Sequence, residues 1–412
     1  MPEASGPEVN RVVVTGLGVV SPVGCSAAKY WAALVAGRSG FGPPSFDAAG
    51  KIKTKVVAEA RDFVASDHFD ARQISTLDRV SQLALVAARE AFAQSGLALN
   101  EALSEATAVI IGTGVGGQTT AEESLRRFYT EDAYRVHPMT IPRTMISAAP
   151  SQISMSLGIT GPTFAVSSAC ASATHAMGQA FQMIRRGAVT CALSGGTDAC
   201  ITAGVLRGWE ALRILATDTC RPFSRDRTGM VLGEGAAVLV LEALDHAQAR
   251  GTEILAEIAG FGMGADAADL TSPDARGMAR AMRMALADGT LAPDAVDYIN
   301  AHGTGTTMND KLETAAVHAV FGAHAGELAV TSTKSMIGHA LGASGALALV
   351  ATIMAIRDGV VPPTMNYLGP DPACDLDCVP NAARRRPVRA ALSNSFAFGG
   401  LNAVLAVRQF SG

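Results

Sequence analysis

Charged residues are scarce. Asp, Glu, Lys and Arg make up 17% of the 412 residues, and the formal net charge is −4. Without a basic stripe the chain lacks the electrostatic footprint of a nucleic-acid binder or of a protein that docks on an anionic membrane. Cysteine is present but not paired: seven residues stand at 25, 170, 191, 200, 220, 374 and 378. An odd, scattered set is no disulfide framework and reads as reduced thiols in a cytosol. Only Cys374 and Cys378, in CDLDC, are close. Two further ligands are missing around them, so a loop is expected there rather than a metal site. Long apolar runs are missing too: the longest, GALALVATIMAI (345–356), has 12 residues, too few to span a bilayer. The segment MPEASGPEVNR is polar and has no apolar signal region. The expectation is a soluble, cytoplasmic protein without nucleic-acid contacts or membrane insertion.

What is present is apolar bulk and glycine. Hydrophobic residues make up 49%, aromatics only 5%, and there are 42 glycines. That suits a large core, tight turns and close helix packing, spread over two domains or two fused halves. Strand-like runs recur: RVVVTGLG (11–18), TAVIIGTG (107–114), TCALSGG (190–196) and AAVLVLE (236–242). The second half has DYINAHGTG (297–305), LAVTSTKS (328–335), RAALSNSF (389–396) and NAVLAVRQ (402–409). Runs of helical length and spacing, such as MARAMRMALADG (278–289), lie between them. The alternation predicts an α/β architecture with buried sheets covered by helices. No Pro/Ser-rich linker or short repeat interrupts it. A break at EIAGFG (257–262) divides the chain into halves at 11–257 and 258–412.

Four segments carry reactive side chains. In AVSSACASATHAMG (165–178), Cys170 stands among small residues, where the strand-like GPTFAVS hands over to a helical run. Small neighbours leave room for a ligand, although a buried structural thiol is the plain alternative. NAHGTGTTMNDKLE (300–313) puts His302 at a strand end before a Gly/Thr turn. TSTKSMIGHALGASG (331–345) contains Lys334 and His339. LSNSFAFGGLN (392–402) flanks Phe396 and Phe398 with small residues. Singly each is a weak signal; in this order together they are specific. GTGVGG (112–117) lacks both the spacing and the downstream acid of a dinucleotide loop.

With these motifs the chain resembles a β-ketoacyl-acyl-carrier-protein synthase of the thiolase superfamily, of the KAS II type. The likeness runs from VVVTGLGVVSPVG (12–24) through RPFSRDRTGMVLGEGAAVLVLE (221–242) to FGGLNAVLAVRQ (398–409). GVLRGWEALRILATDTCRPFS (204–224) and GPDPACDLDCVPN (369–381) look most like nodulation-type synthases of rhizobia. The resemblance implies a thiolase-like fold of two βαβαβαββ halves in five α-β-α-β-α layers, and a homodimer. It also implies decarboxylative Claisen condensation of an acyl thioester with malonyl-acyl-carrier-protein, with no cofactor beyond room for a structural monovalent cation.

The resemblance implies residue roles as well. Cys170 is the nucleophile, made anionic by the positive end of the helix beginning near Ala171. The N–H groups of Cys170 and Phe398 form the oxyanion hole, and Phe398 is also a gate. His302 and His339 stabilise the enolate. Lys334 sits behind them with Glu313 as buried counter-ion. Thr304 and Thr306 bind pantetheine from one face of an extended segment. Phe396, Val115 and Trp209 line or border the substrate site, with core packing as their plain alternative. Arg72, Arg135 and Arg213 match basic positions that receive the acidic carrier protein.

Some positions depart from the family pattern. Leu401 replaces a Thr near the gate, and Ser75 and Thr76 stand where basic residues are usual. The thinned basic footprint and Trp209 favour a dedicated synthase with a specialised carrier. A thiolase would need a second cysteine near the C-terminus, and an initiating synthase an Asn in place of His339. A non-catalytic partner would lack Cys170. A metal site made of Cys170, His302 and His339 is the remaining alternative.

Overall fold

The computed structural model describes residues 9–46, 50–131 and 135–412. Residues 1–8 of the polar N-terminal segment lie outside it. The first half is built from β1 (Val12–Val20), α1 (Arg79–Ser95), β2 (Thr107–Gly112), α2 (Gln118–Thr130), α3 (Ala148–Leu157), β3 (Thr163–Val166), α4 (Ser172–Arg185), β4 (Cys191–Asp198), α5 (Ala203–Ala211) and β5 (Gly235–Ala243). The second half repeats the plan with β6 (Ala256–Ala265), α6 (Ala275–Asp288), β7 (Tyr298–Asn300), α7 (Thr307–Phe321), β8 (Ala329–Thr331), α8 (Ser344–Asp358), β9 (Ala390–Ala397) and β10 (Leu401–Arg408).

The two halves share one strand order. In each, the third strand pairs with the second, then come the fourth, the fifth and the first, giving β3-β2-β4-β5-β1 and β8-β7-β9-β10-β6. The first three strands of each order follow the same pattern: β3, β2 and β4 run parallel, as do β8, β7 and β9, while the remaining strands alternate. β1 pairs with β6, Val12 opposite Ile258, and joins the halves edge to edge. Helices α1 and α3 cover the first sheet on the outside; α6, backed by α7, covers the second. Between the sheets lie α4 and α8, each in contact with strands of both halves. That is the expected five-layer thiolase-like arrangement.

The strands form where the sequence is apolar throughout: all nine residues of β1 and all six of β2 are buried, as sheets covered on both faces require. β6 carries no strand signal in the sequence, because its glycines imitate a break. The division at 257/258 therefore falls inside it, and the chain crosses between halves in the turn before Ala256. The glycines have a packing cause. A Cβ on Gly260 or Gly262 would run into the carbonyls of Ala285 and Ala281 in α6. Gly16 and Gly18 of β1 stand in the same relation to Ala91 and Ala87 of α1. Each half thus seats its outer helix against glycines of its first strand.

The apolar run of α8 is longer than the 12 residues read from the sequence. The helical stretch Leu341–Asp358 has 18 residues and is long and apolar enough, by length and composition, to cross a membrane. It is 89% buried inside the protein, because a middle layer meets apolar neighbours on every side.

Candidate active site

The reactive segments follow the carboxyl ends of parallel strands: Cys170 after β3, His302 after β7, Lys334 and His339 after β8. The first comes from one half and the others from the second, so the site lies where the halves meet. The turn before Cys170 is strained. Ala169 has φ +50°, a region costly for a side chain with a Cβ. Ser172 holds it: its hydroxyl donates to Ala169 O at 2.6 Å and accepts from Ser168 N–H at 2.9 Å. On the other side, His339 is pinned through its backbone, its N–H donating to Val231 O at 2.7 Å and its carbonyl accepting from Gly233 N–H at 2.9 Å.

The side chains converge. Cys170 Sγ lies 3.1 Å from His339 Nε2, and His339 Nδ1 lies 2.8 Å from Ser344 Oγ. The rings of His302 and His339 are 5.4 Å apart, edge to face, and the Phe396 ring is 6.2 Å from His302. The backbone N–H groups of Cys170 itself and of Phe398 lower the pKa of the Cys170 sulfur; they are the pair expected for an oxyanion hole. Phe398 reaches this place on a turn where Gly399 and Gly400 have φ of +79° and +65°.

Electrostatics correct one expectation. Burial pushes the Cys170 thiol up to about 11, although Lys334 and the two N–H groups pull it down. At pH 7 a thiolate would then cost about 5 kcal/mol. A helix end supplies about 2 kcal/mol at most, so the resting sulfur is a neutral thiol that faces His339. Both imidazoles are neutral as well: burial, and the nearby Lys334 charge, hold His302 and His339 well below the usual histidine range. The same Lys334 charge opposes a cation at the three donor atoms, which lie within 4.8 Å of one another and have metal-ligand types.

Glu313 is not the direct partner of Lys334. The two interact at a distance: each shifts the other toward its charged form while burial opposes it. The Glu313 oxygens are taken by N–H groups of His302 and Gly303, both at 2.8 Å, and by Asn394 Nδ2 at 3.2 Å. The carboxylate therefore fixes the backbone that carries His302.

A cavity of about 380 Å³ leads to Cys170, His302 and His339. Thr304 and Thr306 line it with their hydroxyls 2.9 Å apart; they share a face, but on a turn with Gly305 at φ +77° and not on the extended segment expected. The Trp209 ring meets Phe398 at 5.9 Å, and both line the cavity, as does Phe396. Of the three arginines, Arg213 lines the cavity. Arg72 is exposed on the helix Ala71–Thr76 and Arg135 borders a separate small hollow with Arg127, His137 and Arg143; neither lines the cavity. Val115 does not line it either. It is 42% exposed, because its loop turns outward after β2. Leu401 is half-buried at the start of β10.

Residues not singled out from the sequence support the site. Ser344 sits five positions after His339, inside a motif already noted. Buried Arg227 donates to the carbonyls of Thr306 and Thr307 at 3.3 and 3.2 Å and to Asp371 at 2.5 Å, holding the threonine turn.

Comparison with known proteins agrees with this geometry. A family model described as "Beta-ketoacyl synthase, N-terminal domain" matches residues 9–247, and its "C-terminal domain" counterpart matches 255–368. "Nodulation protein E" of Rhizobium sp. (strain N33) is 50% identical over 399 residues, 97% of this chain and 99% of that protein. "3-oxoacyl-[acyl-carrier-protein] synthase 2" of Coxiella burnetii is 43% identical over 406 residues, 97% of this chain and 98% of that one. Among solved structures, a type II polyketide ketosynthase, described as in complex with its acyl-carrier protein and bound to the hexaketide, superposes with a TM-score of 0.90. It is 32% identical and covers 98% of this chain and all of that one. Two domain models spanning the site, full-length relatives and a thiol facing two imidazoles agree: the chain belongs to the β-ketoacyl synthase family of condensing enzymes.

Proposed function

We propose that the chain condenses an acyl group, delivered as a carrier-protein thioester, with malonyl-acyl-carrier-protein, releasing CO2 and free carrier and giving 3-oxoacyl-acyl-carrier-protein. The observation that carries this is the 3.1 Å approach of Cys170 Sγ to His339 Nε2 at the base of the cavity. In the first half-reaction Sγ attacks the thioester carbonyl. Nε2 takes the thiol proton and passes it to the departing carrier thiolate. The N–H groups of Cys170 and Phe398 hold the oxyanion. In the second, the malonyl C–CO2 bond breaks and the electron pair moves onto the thioester oxygen, where His302 and His339 N–H groups donate. The enolate carbon attacks the acyl carbonyl, the C–C bond forms, and the Cys170 thiolate leaves and takes up a proton from solvent, which restores the resting thiol. For Nε2–H to donate, Nδ1 must accept from the Ser344 hydroxyl, so the two steps call on opposite tautomers of His339.

The KAS II type is the reading for this subgroup, supported by the 3-oxoacyl synthase relatives. Thr304, Thr306, Phe396 and Trp209 receive the substrate arm and chain, and Lys334 sets the charge. The partner is an acyl carrier protein, met by Arg213 at the cavity and by Arg72 and Arg135 farther out. A homodimer is supported by the free edge of β3 at the end of the sheet, with exposed Phe164 on it and exposed Met155 on α3. A covering partner would also enclose Val115. The reaction needs no cofactor. A monovalent cation would find Asn394 Oδ1 beside Glu313, a buried oxygen without a hydrogen-bond partner on a side chain whose Nδ2 bonds Glu313; it would steady the His302 backbone. A cytoplasmic site of action suits the free cysteines.

The test is direct. Purified protein with acyl- and malonyl-carrier protein should yield the 3-oxo product by mass spectrometry, and Cys170→Ala should not. Condensation by Cys170→Ala would end this reading, and stoichiometric zinc in the purified protein would favour the metal alternative.

A further inference from the structure

Asp198 ends β4 and is completely buried. Its carboxylate takes four donors, all neutral. Oδ1 accepts from the Thr113 hydroxyl at 2.8 Å and from Val115 N–H at 3.4 Å. Oδ2 accepts from Gly114 N–H at 2.9 Å and from Gly342 N–H at 2.6 Å. A single oxygen thereby joins two backbone segments distant in sequence. One is the loop after β2 that carries Val115; the other is the turn that runs from His339 into α8.

The surroundings are built for this contact. A Cβ on Gly342 would fall 2.6 Å from Asp198 Oδ2, and one on Gly196 would fall 2.8 Å from Gly342 O and 2.6 Å from Ala173 Cβ. Leu341, beside Gly342, has φ +43°, a strained conformation for a bulky residue; the bond to the next amide helps to hold it. Burial pushes Asp198 up to about 6, and the four donors pull it down. It is therefore mostly ionised at neutral pH, and a buried charge is a costly way merely to fill space.

The geometry points to Asp198 as a positioning residue for His339: its Oδ2 clamps the His339 turn to the Val115 loop, and the imidazole keeps its approach to Cys170 only while that clamp holds. The inference rests on the reading of Cys170 and His339 as the reacting pair.

The bridging oxygen makes the test specific. In Asp198→Asn the amide nitrogen can turn toward Thr113, whose hydroxyl then accepts, and only the long bond from Val115 is lost. The remaining oxygen keeps both glycine amides. Asp198→Ala loses both. Steady-state condensation should leave kcat of the Asn variant within about 3-fold of the parent. The Ala variant should lose about 30-fold or more in kcat while its KM for malonyl-carrier protein moves less than about 3-fold. Parental kcat in the Ala variant overturns the proposal, and so does an Asn variant as impaired as the Ala one. Amide hydrogen exchange on the unmodified protein gives an independent reading, whether or not the Ala variant folds. Segments 112–117 and 339–345 should gain or lose protection together when Cys170 is alkylated; independent exchange refutes the clamp. Exchange does not depend on turnover, so failure of the condensation reading, seen as an inactive parent enzyme, is told apart from failure of the clamp.

Discussion

Cys170 and His339 approach to 3.1 Å across the seam between the two halves, sulfur to Nε2. The pair exists because β3 of one half and β8 of the other point their carboxyl ends at one cavity. Each partner is neutral at rest.

Replacing the thiol by an amide should separate the half-reactions. Cys170→Gln can fill the space of an acyl-enzyme while His302 and His339 remain. It should lose condensation by about 10³-fold or more, yet still release CO2 from malonyl-carrier protein. Measuring labelled CO2 beside the 3-oxo product checks this. A variant that neither condenses nor decarboxylates would mean that the imidazoles do not act on malonyl alone.

The charge on Lys334 has a definite sign of effect. Lys334 lowers the Cys170 pKa, and burial raises it to about 11. In Lys334→Met the raising influence of burial is opposed only by the N–H groups of Cys170 and Phe398. The pH at which iodoacetamide alkylation of Cys170 is half-maximal should move upward, and the rate at pH 8 should fall about 10-fold for each unit of the shift. Mass spectrometry of the Cys170 peptide against pH reads it; a downward move contradicts the electrostatic account.

Buried Asp310 gives a linkage test. Burial raises it from 3.8 to about 6 in the folded protein, despite donors from Phe223 and Asn309 and the charge of Arg227. The folded state therefore holds this proton more tightly than the unfolded one. Its contribution to stability is present below the unfolded value and is lost as pH rises through about 6. Asp310→Asn carries no such loss. Whatever its melting temperature at pH 5 relative to the parent, the comparison should move in its favour by pH 8. Calorimetry at the two pH values decides, and a parallel pair of curves would count against the shift.

The edge of β3 can be tested by charge. Phe164→Asp places a carboxylate on the exposed apolar edge. If that edge is covered by a second copy, sedimentation should show the parent as a dimer and the variant as a monomer at micromolar concentration. An unchanged dimer would put the interface elsewhere.

Much of the fold was legible because buried strands in this chain are apolar throughout, as in VVVT of β1 and AVIIG of β2. β6 escaped notice because its alternating glycines, 260, 262 and 264, imitate a break; what they do is admit α6, which a one-dimensional reading does not supply. The site was legible at Cys170, His302, Lys334 and His339, where reactive side chains stand among small residues and turns. Val115 does not line the cavity of the single chain, since a loop's direction depends on the packing around it. Glu313 was assigned to Lys334 as a counter-ion, and the two do favour each other's charge; its hydrogen bonds to backbone N–H groups escaped notice because no sequence pattern marks them. The resting charge of Cys170 was misread for a related reason: burial depth, which outweighs the helix end, becomes visible only once both halves are in place.

The most direct measurement is to incubate the protein with acyl-carrier protein alone, digest it, and locate the added mass. The account predicts one acyl group, on the peptide containing Cys170, that disappears as 3-oxo product forms when malonyl-carrier protein is added. An acyl group found on another residue, or one on Cys170 that malonyl-carrier protein does not discharge, would contradict it.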